Sequence, residues 1–136
     1  MYMTRAELCS LADHGIELGN HTRNHVWCRN LDQTGFEQQF QAGRKELEEL
    51  SGREVRSFSV PYGMAADLTE AGSRFLLAGG HRALFLVEGL TNTKHASLDR
   101  LHRVSLKASE DSGSFAELEV MPRLRRLRNA VRGRGR

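Results

Sequence analysis

The chain is poor in the residues that usually announce a function. Of 136 residues, only two are cysteine, two proline and one tryptophan. Cys9 and Cys28 are too few and too widely spaced for a disulfide framework or a C-x-x-C metal or redox motif. They are expected as free thiols, the usual state in a reducing compartment. No stretch approaches the roughly 18 apolar residues of a membrane span. The opening M-Y-M-T-R-A-E-L lacks a basic flank followed by an apolar run, so no signal peptide is read and a cytoplasmic location is the expectation.

Acidic residues are missing from one place in particular. Residues 121–136, M-P-R-L-R-R-L-R-N-A-V-R-G-R-G-R, hold seven arginines and no acid, which leaves 13 basic against 17 acidic residues in the first 120. The net charge of +3 therefore belongs to a tail, and the body is mildly acidic. With 39% apolar and 27% charged residues and no low-complexity tract, residues 1–120 suit one globular domain with a packed core, followed by an arginine-rich tail at 121–136.

Periodicity supplies the elements. Thr4 with Glu7 forms a capping box for a helix carrying Leu8, Leu11 and Ala12, which stops near Gly15 with His14 as a cap at its end. Ile16 and Leu18 alternate with polar residues and suggest a brief strand. Thr34 with Glu37 reads as a second capping box, and Phe36, Phe40, Leu47 and Leu50 recur at helical spacing until Ser51-Gly52. Val55 to Val60 alternates as a strand and is halted by Pro61-Tyr62-Gly63. A helix over about 65–78 ends at Gly79-Gly80. Arg82 to Val87 and Leu101 to Leu106 read as strands, and a last helical stripe runs from about Ser114 to Val131, interrupted by Pro122. Helices alternating with strands predict an α/β protein with a parallel sheet.

In such folds ligand chemistry gathers where the strands end. Two segments fall there: G-N-H-T-R-N-H, with His21 and His25 four residues apart, and Pro61-Tyr62-Gly63. Two imidazoles on one tight loop supply half of a tetrahedral zinc shell, with a carboxylate and a water as the usual complement. Solvated loop histidines are the alternative. His81 and His95 are expected as solvated turn or loop residues. Trp27 is expected to pack against the second helix, with stacking on a sugar ring as the other reading. The arginines of 121–136 could meet nucleic acid or an anionic membrane face, but no aromatic residues interleave them and no nucleic-acid motif is present.

The order of these segments resembles the polysaccharide deacetylase family, the NodB-homology or chitin deacetylase group of carbohydrate esterases. M-T-R-A-E-L-C-S-L-A-D-H-G-I-E-L-G-N-H-T-R-N-H is similar to the family's helix, strand and H-[ST]-x-x-H metal motif, and F-S-V-P-Y-G to its R-x-P-x-G or Y-P-Y-G segment, with Ser59 in place of the arginine. The later G-G-H-R-A-L-F-L-V-E-G and L-D-R-L-H-R-V-S-L resemble closing strands of deacetylases. The resemblance implies a partial, distorted (β/α) barrel missing its first strands, and hydrolysis of N- or O-acetyl groups on a glycan by a water that zinc or another divalent metal activates. It implies that His21 and His25 hold the metal, that the backbone N–H of Tyr62 meets the oxyanion, and that Pro61 and Gly63 wall the groove. His102 is the candidate general acid by position, and Arg103 a candidate groove residue. The family's T-F-D-D motif, source of the third ligand and general base, has no counterpart here. The expectation is a chain incomplete or inactive alone, binding metal weakly: a truncated enzyme, half of a split pair completed by a second chain, or a non-catalytic remnant or scaffold module whose basic tail contacts anionic partners.

Overall fold

The computed structural model describes residues 3–88 and 90–103. Helix α1, Arg5–Asp13, begins at Thr4, whose hydroxyl accepts from the Glu7 N–H while the Glu7 carboxylate accepts from the Thr4 N–H. It ends at His14, whose ring bonds the Ser10 carbonyl at 2.7 Å. Strand β1 follows as only Gly19–Asn20, a correction to the expected strand over Ile16 and Leu18, where Ile16 is 53% exposed. Backbone pairing reaches only the last two residues before His21, so the strand is just long enough to aim the histidine loop.

The central helix is three pieces in line: α2, Gln33–Phe36, a π-helical turn at Glu37–Gln41, and α3, Ala42–Ser51. Its N-cap is Asp32, whose carboxylate accepts from the Gly35 N–H at 2.8 Å. The expected Thr34 box therefore does not form, because Thr34 already lies inside the first turn. Gly52, at φ 68°, closes the far end in the left-handed region. The π turn takes in an extra residue and so rotates everything after it. Phe36 and Phe40 enter the core, whereas Leu47 and Leu50 line a cleft of about 570 Å³ beside His21 and Gly19.

Strands β2, Ser57–Ser59, β3, Ala83–Leu86, and β4, Leu101–His102, complete one four-stranded sheet in the order β1-β2-β3-β4, every pair parallel. Helix α4, Glu70–Ala78, capped by Thr69, links β2 to β3 and is preceded by a 3-10 turn at Ala65–Asp67, so the expected single helix from residue 65 is split. Such strand-helix-strand connections are what make parallel pairing possible. The core is the layer between sheet and helices: Phe36, Phe40, Phe58, Val60, Leu76, Leu84, Leu86 and Cys28. Phe58 and Leu84 face each other in register and are fully buried.

The parallel register sets His21, Val60, Val87 and Arg103 just past the C-terminal ends of the four strands. No helix among the described residues is long and apolar enough to cross a membrane. Residues 104–136, with the end of the expected fourth strand, the stripe from Ser114 and the arginine-rich tail, lie outside the described residues.

Candidate active site

Three non-glycine residues among those described adopt positive φ: Thr22 at 64°, His25 at 53° and Tyr62 at 63°. All three belong to the two loops at the sheet's C-terminal edge. Left-handed backbone at a side-chain-bearing residue costs on the order of 1 to 2 kcal/mol, and it persists only where the surroundings enforce it. Strain confined to one patch marks that patch as the place where geometry was held against local preference.

The enforcing contacts come from the π turn. In a regular helix carbonyls bond the N–H four residues on. Here the Gln39 carbonyl accepts from the Arg23 N–H at 3.1 Å, the Gln39 side chain accepts from the Asn24 N–H at 3.0 Å, and the Phe40 carbonyl accepts from the Asn20 amide at 2.9 Å. Gly43 permits the approach, since a Cβ there would stand 3.1 Å from the Arg23 nitrogen. The helix thus holds the loop that carries both histidines.

His21 and His25 meet edge to face with ring centroids 4.9 Å apart. The Nδ1 of His21 lies 2.6 Å from the Ser59 carbonyl, which can only accept, so Nδ1 carries the proton and Nε2 keeps its lone pair. Beside the pair, the Thr22 and Ser59 hydroxyls are shut off from solvent with no hydrogen-bond partner among the described residues. A fixed tautomer with a free Nε2, a second imidazole within ring contact and orphaned polar atoms around them fit half of a divalent-metal shell. The other half is not there: among the described residues no three His, Cys, Asp or Glu side chains converge to hold a metal ion. Cys28, three residues past His25, faces the core instead. Burial, with the Asp67 carboxylate adding to it, pushes its thiol up to about 12, so it is no nucleophile at neutral pH.

The loop after β2 supplies the opposite wall. Pro61 and Gly63 are buried, and the Gly63 carbonyl accepts from the Val87 N–H at 2.6 Å. The Tyr62 ring, 55% exposed, stands 5.2 Å from the His25 ring, and the Tyr62 N–H donates to no acceptor among the described residues. Trp27 was expected to pack against the second helix, and the structure gives it other neighbours as well. It is 43% exposed and leans on Tyr62 at 4.9 Å, with the Arg29 guanidinium 4.5 Å from its ring centroid. The short 3-10 turn at Cys28–Asn30 buries Cys28 and thereby turns the neighbouring indole outward.

His102 lies on β4, three strands from His21, or about 14 Å along a sheet with strands some 4.8 Å apart. No ring or hydrogen-bond contact ties it to the histidine pair. Its Nδ1 sits 3.3 Å from a Glu88 carboxylate oxygen, not aligned for a hydrogen bond. Asn92 clamps the His102 backbone with bonds of 2.8 and 2.9 Å. Arg103 donates its N–H to Leu86, and its guanidinium pairs with no described acid.

Two supporting residues were not apparent in the sequence. Asn20 is buried, and its amide bridges the Phe40 carbonyl and, at 3.4 Å, the Nε2 of His81. His81, expected as solvated, is 4% exposed because the α4–β3 turn folds it under the sheet against Phe58, with Nδ1 donating to the Leu76 carbonyl at 3.1 Å. Asn directly before the histidine at a strand end was the one available signal.

Burial depresses the His81 pKa below its ordinary 6.5, outweighing the Leu76 bond that raises it. Protonation would also set an N–H against the Asn20 amide. Between the folded and unfolded values only the unfolded chain is protonated, so His81 contributes its full stability above pH 6.5 and loses it as the pH falls through the folded value. Urea midpoints measured from pH 7.5 to 5 should decline with a component of up to about 1.4 kcal/mol per pH unit that is missing from His81→Gln. Parallel pH profiles for the two proteins would refute it.

A parallel sheet with helical connections, its chemistry collected on loops at the strands' C-terminal ends, is a segment of a (β/α) barrel. The sequence model of the polysaccharide deacetylase family matches residues 2–76, and the chain belongs to that family. Among solved structures it is similar to a polysaccharide deacetylase from Bacillus cereus, with a TM-score of 0.69 at 16% identity, over 86% of this chain and 37% of that one. It is also similar to a de-N-acetylase from Aggregatibacter actinomycetemcomitans, with a TM-score of 0.68 at 14% identity, over 86% and 53% of the two chains. A deacetylase domain from Bordetella bronchiseptica gives 0.63 at 18% identity, over 76% and 48%. At these identities the likeness is one of fold, and the chain spans between about a third and a half of their length. Comparison with curated proteins gave no match.

Proposed function

We propose that this chain is the histidine-bearing part of a metal-dependent hydrolase that removes acetyl groups from a glycan. The observation that carries the reading is the His21–His25 pair, tautomer fixed by Ser59, facing the Tyr62 loop across the C-terminal edge of the sheet. A divalent cation such as zinc, held by His21 and His25, would acidify a water toward neutral pH and polarise the acetyl carbonyl.

The chain's own groups do the rest. The Ser59 carbonyl keeps the His21 ring oriented. The Tyr62 N–H, free of protein acceptors among the described residues, donates to the oxygen on which charge develops as the carbonyl is attacked. Pro61 and Gly63 hold that N–H in place. His102, on β4, is the candidate proton donor by position alone, since it lies three strands from the histidine pair and its Nδ1 is not aligned on Glu88. The third ligand and the general base are assigned to a carboxylate-bearing segment outside the described residues or on a second chain.

The test is zinc retention. After loading and brief dialysis, the full chain should keep more zinc than the His21→Ala, His25→Ala double variant. Acetate release from an N-acetylglucosamine oligomer and from an acetylated xylan then separates amide from ester hydrolysis, with little release expected until the missing carboxylate is supplied. Equal zinc in both proteins would remove the basis of the reading.

A further inference from the structure

We infer that the buried Asn20–His81 pair is a latch that positions the histidine loop, closed only while the His81 ring carries a single proton. Its consequence for a reaction rests on the proposed function; the latch itself does not. Asn20 ends β1, directly before His21, and is buried. Its side-chain nitrogen faces two acceptors at once, the Phe40 carbonyl at 2.9 Å and the His81 Nε2 at 3.4 Å. An amide nitrogen carries two hydrogens, so both are used. Across the ring, Nδ1 donates to the Leu76 carbonyl at 3.1 Å, which commits the one proton of a neutral imidazole and leaves Nε2 to accept.

A second proton has no place in this arrangement. On Nε2 it would point one N–H at another. Turning the amide over would offer Oδ1 to the imidazolium, but would set that oxygen against the Phe40 carbonyl, and two acceptors cannot bond. Either response breaks a buried bond that ties the start of the histidine loop to the central helix or to the α4–β3 turn. The ring has little access to water, since it is buried and stands on edge against Phe58 at 5.6 Å. β1 and β2 face it with Asn20 and Phe58, and α4 with the Leu76 carbonyl. Burial favours the neutral ring more than the Leu76 bond favours the charged one. The charges acting on it come from α3 and oppose each other: Arg44 disfavours the second proton, Glu48 favours it, and a bond of 2.9 Å joins the two. Acid therefore loosens the histidine loop from beneath, through a group that is not itself one of the pair.

The test is an NMR titration of the full, metal-free chain from about pH 8 to 5, in the wild type and in the His21→Ala, His25→Ala variant, whose loop has no imidazole of its own. In both, the Asn20 side-chain amide and the His81 ring should move together, with one midpoint below 6.5. His81→Gln, whose Oε1 accepts at every pH, should hold the Asn20 amide still over the same range. At about pH 7.5, zinc affinity should fall about tenfold in Asn20→Ala and stay within about threefold in His81→Gln. A shared midpoint without any zinc binding by the wild-type chain would keep the latch and remove the hydrolase reading. An Asn20 amide that does not follow His81, a midpoint at or above 6.5, an unchanged titration in His81→Gln, or undiminished zinc affinity in Asn20→Ala overturns the latch.

Discussion

The Phe40→Ala variant is expected to lose about 4 kcal/mol of unfolding free energy, seen as a lower urea midpoint with little change in slope. Phe40 has no exposed surface and touches the rings of Phe36, Phe58 and Phe75, at centroid distances of 5.3, 5.0 and 6.3 Å. Truncation opens a cavity where the central helix, the sheet and α4 meet, and a close-packed interior fills it only in part. The effect also reaches the histidine loop, because the Phe40 carbonyl anchors Asn20. Phe40→Leu keeps most of the volume and should cost well under half as much. A loss under about 1.5 kcal/mol for the alanine would mean that this residue is not where the layers join.

Gly63→Ala should destabilise the chain by about 3 kcal/mol, from two independent sources. The first is the left-handed backbone at φ 83°, and the second is space: an added Cβ would sit 2.6 Å from the Val87 Cγ2 and 2.9 Å from its nitrogen. Backbone must move, and with it the short Val87 to Gly63 hydrogen bond and the Tyr62 N–H. Gly52→Ala separates the sources, since Gly52 is left-handed at φ 68° but has nothing within 4 Å. It should cost about 1 kcal/mol, the conformational part alone. Equal costs at the two glycines would show that Val87 yields freely and that the loop is not clamped.

Much of this architecture was legible because local rules agreed with the fold. Thr4 and Glu7 meet the requirements of a capping box, and the alternation around Phe58 and the compact apolar run around Leu84 are those of strands. Other features were decided at long range. Thr34 with Glu37 has the residues of a capping box, yet the cap is Asp32. The helix starts two residues earlier because the Asp32 carboxylate accepts from the Gly35 N–H. Nothing in E-Q-Q-F-Q marks a π turn, since the demand for its carbonyls comes from a loop some 15 to 20 residues earlier. Burial of His81 depends on Asn20, 61 positions away, and exposure of Trp27 on Tyr62. Of the site itself, the histidine spacing and the P-Y-G loop were readable; the groups that fix the first histidine and hold the loop were not, because main-chain carbonyls carry no sequence signature.

The π turn also sets a timescale. The Arg23 amide sits on an exposed loop, where exchange with solvent deuterium would ordinarily be complete within seconds, yet its hydrogen is held by a carbonyl of the central helix. Its exchange should instead be slow and should keep pace with the amides of Glu37–Gln41, so that the histidine loop opens only when the helix beneath it does.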